Sequence, residues 1–102
     1  MNSEKYKVLI TDDERDIREL LGDFLEDKGL QHFLAENAFD ALSIFKENPD
    51  IDILMSDIRM PGRSGLDLLG DIKEIDEDVV VIMISAVKDI ESAISVDGLK
   101  IN

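Results

Sequence analysis

The sequence predicts an α/β domain, a parallel sheet wound on both faces by helices. Three observations carry that reading. Short apolar runs of strand type alternate with stretches whose apolar residues recur at helical spacing. The run from Val79 to Ser85 is apolar on both faces, as a strand covered on both sides must be. Two other runs end abruptly in acid, Val8-Leu9-Ile10-Thr11 in Asp12-Asp13 and Ile51 to Ser56 in Asp57. Strands that alternate with helices form right-handed crossover units, and such units build parallel sheets.

Taken in order, Lys7 to Thr11 is a short buried-type strand. Ile17, Leu20, Leu21, Phe24 and Leu25 then mark one face of a helix that Lys28-Gly29 ends, a cation in the last turn and a glycine at the stop. Gln31 to Ala35 forms a second strand. Asn37 caps a helix with Ala38, Ala41, Leu42 and Phe45 on one face, and Asn48-Pro49 stops it. Ile51 to Ser56 is the third strand, followed by a loop through Met60-Pro61-Gly62. Ser64 and Asp67 have the spacing of a capping box opening a helix with Leu68, Leu69, Ile72 and Ile75 inward. Val79 to Ser85 is the fourth strand. A fourth helix is predicted from about Lys88-Asp89, with Ile90, Ala93 and Ile94; its stripe fails at Asp97-Gly98.

Bulk properties narrow the function. The 102 residues make one domain, with 44 % hydrophobic and 34 % charged residues, an ordinary globular balance. Twenty-four acids against 11 Lys and Arg give a formal charge of −13. Nucleic-acid backbones and anionic membranes call for a basic surface, so neither is an expected partner, whereas divalent cations are. The absence of cysteine excludes thiol chemistry. No apolar run is long enough to span a bilayer or serve as a secretory signal, so a soluble, cytoplasmic protein is expected.

In an open α/β sheet, ligands bind beyond the carboxyl ends of the strands, where strand order reverses. Acids gathered there repel one another unless a cation or a transferred group makes use of them. Each piece has a plainer reading. Asp12-Asp13 could be a helix cap, Asp57 a turn former, and Ser85 a strand serine bonded to backbone. His32, alone in an apolar strand, reads as structural, because a metal role would need partner ligands.

The ordered set resembles the receiver domain of two-component response regulators: Asp12-Asp13 after the first strand, Asp57 after the third, then Met60-Pro61, Ser64-Gly65, and Ser85-Ala86 after the fourth. The resemblance spans about Lys7 to about Ala93. It implies a flavodoxin-like doubly wound sheet of strand order 2-1-3-4. It implies a phosphoacceptor rather than an enzyme, with at most self-phosphorylation and self-dephosphorylation. Asp57 takes a phosphoryl group from a histidine kinase or phosphotransfer protein. Asp13, Asp57 and the backbone carbonyl of Arg59 bind Mg²⁺ directly, Asp12 mostly through water, and Ser85 is the switch hydroxyl. The chemistry agrees, because a carboxylate is a competent nucleophile at phosphorus and oxygen ligands suit a hard cation. Arg59 and Val87 flank the reacting positions, and valine cannot orient a water, so a long-lived phosphoryl group is expected.

Receiver domains normally continue through a fifth strand, with a switch aromatic and a Lys-Pro pair, and a fifth helix. Here no aromatic follows Phe45, no Lys-Pro is present, and residues 96–102 read Val-Asp-Gly-Leu-Lys-Ile-Asn. The expectation is a single receiver domain over 1–102 with the fifth strand and helix missing or rudimentary. Lys100 is then the one lysine able to substitute. An exposed edge at the fourth strand would favour self-association. The competing function is a truncated or degenerate receiver serving as a phosphorylation-independent interaction module. A flavin-binding protein of similar topology would need a phosphate loop after the first strand, and acids stand there instead. A related metal-dependent phosphatase would carry its nucleophilic Asp after the first strand.

Overall fold

The structure is a computed structural model that describes residues 6–84. Four strands, β1 (Lys7–Thr11), β2 (Gln31–Ala35), β3 (Ile53–Asp57) and β4 (Val80–Ile84), alternate with three helices. The helices are α1 (Arg15–Asp27), α2 (Ala38–Glu47) and α3 (Gly65–Ile75). All strand pairs are parallel, and the sheet order is β2-β1-β3-β4, as the resemblance implied. The predicted bounds of the first two strands hold to the residue. The third strand is paired from Ile53, although Ile51 is already buried. The predicted fourth helix, the rudimentary fifth strand, Ser85 and Lys100 lie outside the described residues. None of the described helices is long and apolar enough to cross a membrane.

Strand alternation sends side chains to two layers. Leu9 and Leu54 join Phe45, Leu68 and Ile72 in the larger core beneath α2 and α3. Val8 and Ile10 join Leu25 beneath α1, with Leu21, Leu30, Ile53 and Met55 packed around them. The helices end as their sequences require. Asn37 accepts a hydrogen bond from the Asp40 amide at 2.8 Å, and Ser64 with Asp67 completes the predicted capping box. After α1, Gly29 adopts φ 77°, its N–H bonds the Glu26 carbonyl, and the Leu30 N–H bonds the Leu25 carbonyl. That is a Schellman stop, open to glycine because the turn needs a left-handed residue.

Three burial expectations are corrected. Leu20 and Phe24 were placed on the inward face of α1 but are 65 % and 56 % exposed. The helix rests on β2 through Gly22, whose missing side chain admits His32 and Leu34. At about 100° per residue, Leu20 and Phe24 then fall on the opposite flank. In α3, Leu69 is half-buried and Ile75 exposed, because Ile75 is the last helical residue and lines an open groove against α2 with Phe39 and Leu42. In β4, Val80 and Ile82 pair with Ile53 and Met55, so they share the α1 face, yet they are 56 % and 45 % exposed. Among the described residues, α1 is the helix on that face and it lies over β1 and β2.

One contact joins sheet and helix at the tip of β3. An ideal Cβ on Gly65 would stand 2.0 Å from the Asp57 carbonyl oxygen and 3.1 Å from the Ile58 Cα, while the Gly65 N–H donates to the Ile58 carbonyl at 2.8 Å. Backbone meets backbone here, so no rotamer can relieve an added methyl. Helix propensity favours alanine over glycine by about 1 kcal/mol, but overpacking opposes it by typically about 1–3 kcal/mol. Gly65→Ala is expected to lower the unfolding free energy by up to about 2 kcal/mol, measured by urea titration; a stabilised variant would show that α3 can move away from β3.

Candidate functional site

Register builds the site. Thr11 pairs with Ser56, so Asp12 and Asp57 follow side by side where β1 and β3 emerge from the sheet. Carboxylate oxygens of Asp12, Asp13 and Asp57 lie within 4.8 Å of one another. Asp12 and Asp57 are buried, at 4 % and 5 % exposure, whereas Asp13 is exposed. The sequence's three acids are thus brought together.

Their backbone is held tightly. The Asp12 N–H donates to the Ala35 carbonyl at 3.1 Å, and the Asp12 carboxylate accepts from the Glu14 N–H at 2.8 Å. That second bond closes an Asx turn into α1, whose own N-cap, Glu14, makes no side-chain cap. Asp12 thus opens a turn into α1 instead of capping it, the plainer role that the Asp12-Asp13 pair suggested. Beside β3, the Arg59 N–H reaches the Asp57 carboxylate at 3.3 Å, and the Ser56 hydroxyl donates to the Asp57 carbonyl at 3.0 Å. Met60 is buried, and Gly62 turns the loop with φ 85°. Arg63 then ties that loop to α3 through Asp71 at 2.8 Å.

Two residues support the site in roles that the sequence reading did not assign to them. Gly65 permits the close approach described above; a glycine at the first helical position, where alanine is the better helix former, was the available signal. Arg18 donates to the Asp12 carbonyl at 2.8 Å, and a lone arginine on an amphipathic helix carries no signal of that bond. His32 is half-buried against Gly22, in keeping with a structural role. Ser85, Val87 and Lys100 lie outside the described residues.

Electrostatics follow from the packing. Burial, then the negative charge of Asp12, push the Asp57 carboxyl up to about 6, with Asp13 adding to the effect and the Arg59 N–H opposing it. Burial also raises Asp12, against the hydrogen bond from Glu14. Three converging carboxylates with hard oxygen donors fit Mg²⁺, which prefers carboxylates, waters and phosphate oxygens in an octahedral shell. Because Asp57 holds its proton more tightly folded than unfolded, the folded chain binds more protons between about pH 4 and pH 6, and stability falls as pH rises through that window. Asp57→Asn is expected to flatten that fall and to stabilise the metal-free protein at pH 7.5 by on the order of 2 kcal/mol. Thermal unfolding in chelator from pH 4 to pH 8 measures it, and parallel profiles for the two proteins would refute the shift.

Comparison with known proteins agrees with this geometry. The model of the response regulator receiver domain matches residues 8–101. Sporulation initiation phosphotransferase F of Bacillus subtilis is 42 % identical over 81 residues, covering 78 % of this chain and 64 % of that protein. The transcriptional regulatory protein HptR of Staphylococcus aureus is 38 % identical over 81 residues, 76 % of this chain and 31 % of that one. The chain therefore spans under two thirds of the first relative and about a third of the second. Among solved structures, the response regulator TrrA of Thermotoga maritima in complex with Mg²⁺-BeF superposes with a TM-score of 0.76 at 37 % identity, covering 88 % of this chain and 77 % of that one. TrrA in complex with the histidine kinase ThkA gives 0.73 at 38 % identity, over 79 % and 69 % of the two chains. By match, fold and the placement of its acids, this chain belongs to the response regulator receiver domain family.

Proposed function

We propose that the chain is a Mg²⁺-dependent phosphoacceptor that receives a phosphoryl group from a histidine kinase or phosphotransfer protein onto Asp57. The observation that carries the reading is the convergence of Asp12, Asp13 and Asp57 at one end of the sheet, with Asp57 buried at the tip of β3. Similarity to a phosphotransferase and to a regulator solved with a histidine kinase supports the choice of donor.

An oxygen of the Asp57 carboxylate attacks phosphorus. The P–N bond to the donor histidine breaks, its electron pair returns to the imidazole, and the product is an acyl phosphate. A carboxyl with pKa about 6 is mostly ionised at pH 7, so the nucleophile is available without a separate base. The Arg59 N–H holds one carboxylate oxygen and leaves the other to react. Asp12, Asp13, Asp57 and the Arg59 carbonyl would hold Mg²⁺, which when bound offsets the charge on the phosphoryl oxygens. Ser85 serves as the hydroxyl that answers the phosphoryl group, and Lys100 as a replacement for the family's lysine.

The phosphoacceptor reading is tested by incubating the protein with acetyl phosphate and Mg²⁺ and measuring intact mass. One phosphoryl adduct is expected, absent with chelator and absent in Asp57→Ala. An unmodified wild-type chain would favour the phosphorylation-independent interaction module.

Self-association through β4 is part of the same proposal, supported by the exposed Val80 and Ile82. Sedimentation from about 10 to about 500 µM, a range that lies within the micromolar-to-millimolar affinities of weak dimers, should detect a reversible dimer. Ile82→Lys should abolish it, and a wild-type monomer throughout would remove this part of the reading.

A further inference from the structure

Asp13 is the exposed member of the trio, and its aim depends on a backbone segment outside the sheet ladder. Residues 12–14 connect β1 to α1, and Asp12 anchors that connection three times. Its N–H is bonded to the Ala35 carbonyl, its carboxylate to the Glu14 N–H, and its carbonyl to the guanidinium of Arg18 at 2.8 Å. The first two bonds set the Asp12 backbone up to its Cα and the turn that follows. The third is different in kind, because a carbonyl shares a rigid plane with the next amide. Fixing the Asp12 carbonyl fixes the plane of the Asp12–Asp13 peptide and so the Asp13 N and Cα, while the Asx-turn bond to the Glu14 N–H, on the far side of Asp13, limits how that residue can rotate.

Arg18 stands one helical turn into α1, half-buried, and its own N–H donates to the Glu14 carbonyl at 3.1 Å as part of the helix. The guanidinium therefore works from a rigid element onto the loop. It also lines, with Asp13, Glu36 and Pro61, a surface cavity that shares Asp13 with the trio.

We propose that Arg18 is a positioning residue for the cation site: by clamping the Asp12 carbonyl, it orients Asp13 toward Asp12 and Asp57. This rests on the Mg²⁺-binding reading above. Two opposed effects make it testable. As a nearby positive charge, Arg18 repels a divalent cation, so on charge alone its removal would tighten Mg²⁺ binding. As a clamp, its removal loosens Asp13 and weakens binding, and outer partners of metal ligands typically matter by about 10–100-fold.

The test is Mg²⁺ titration by calorimetry at constant ionic strength on the full chain, with thermal unfolding of each variant in chelator. Arg18→Met keeps the apolar stem and removes the donor and charge; it is expected to bind Mg²⁺ about tenfold more weakly with an unfolding midpoint within about 4 °C of wild type, a span of about 1 kcal/mol. Arg18→Lys keeps a charged donor and is expected to recover most of that loss. Equal or tighter binding by Arg18→Met would overturn the proposal and leave Arg18 a charge only. Weakening that tracks a large fall in unfolding midpoint, or no recovery by lysine, would also overturn it. Failure of wild type itself to bind Mg²⁺ would instead sink the reading on which the proposal rests.

Discussion

The parallel pairing of β1 with β3 is the constraint on which the rest depends. Once Thr11 lies opposite Ser56, the next rung places Asp12 against Asp57, and neither carboxylate can withdraw without breaking the ladder. A slip of one residue would send Leu9 and Leu54 out of the core beneath α2 and α3 and exchange them for residues of the other face. Hydrophobic burial thus holds two acids together against their repulsion. The raised pKa of Asp57 is the visible cost of that arrangement.

Support around the trio is distributed unevenly. On the β3 side it is steric and close: Gly65 seats α3 on the Asp57 carbonyl, and Met60 is buried in the loop between them. On the β1 side it is polar and longer in reach, through the Asx turn at Asp12 and the Arg18 guanidinium. Asp57 therefore sits on the rigid side, and the exposed Asp13 on the side that side-chain hydrogen bonds adjust.

What could be read from the sequence divides along physical lines. Strand alternation, helix caps and the glycine stop are local, and they predicted β1, β2, the Asn37 cap and the Ser64–Asp67 box without tertiary information. Acids at two strand tips were legible because apolar runs ended in them. Burial within an element was less so. Leu20 and Phe24 satisfy the apolar stripe of α1, but the helix's roll is set by the small residue Gly22 against His32, a contact between positions that no spacing relates. Likewise Val80 and Ile82 have the composition of a doubly covered strand, yet coverage depends on which helices lie over β4. The Arg18 bond to a carbonyl six residues back is invisible for the same reason: it needs the loop geometry, not the pattern.

Charge orders the events at such a site. The chain carries a formal −13, and the trio concentrates part of it in one place. A phosphodonor is itself an anion, so approach to the metal-free trio is opposed both by the overall field and by the nearest carboxylates. On the proposed reading, transfer replaces the single charge of Asp57 with a phosphoryl group carrying nearly two, while Asp12 and Asp13 keep theirs. The need for a cation is therefore greater in the product than in the resting site. A device that keeps Asp13 aimed at the shared cation matters most after transfer, when the repulsion it must offset has grown. On the same reading, a burial that raises the pKa of Asp57 is tolerable, because the penalty applies to the metal-free state and cation binding would relieve it.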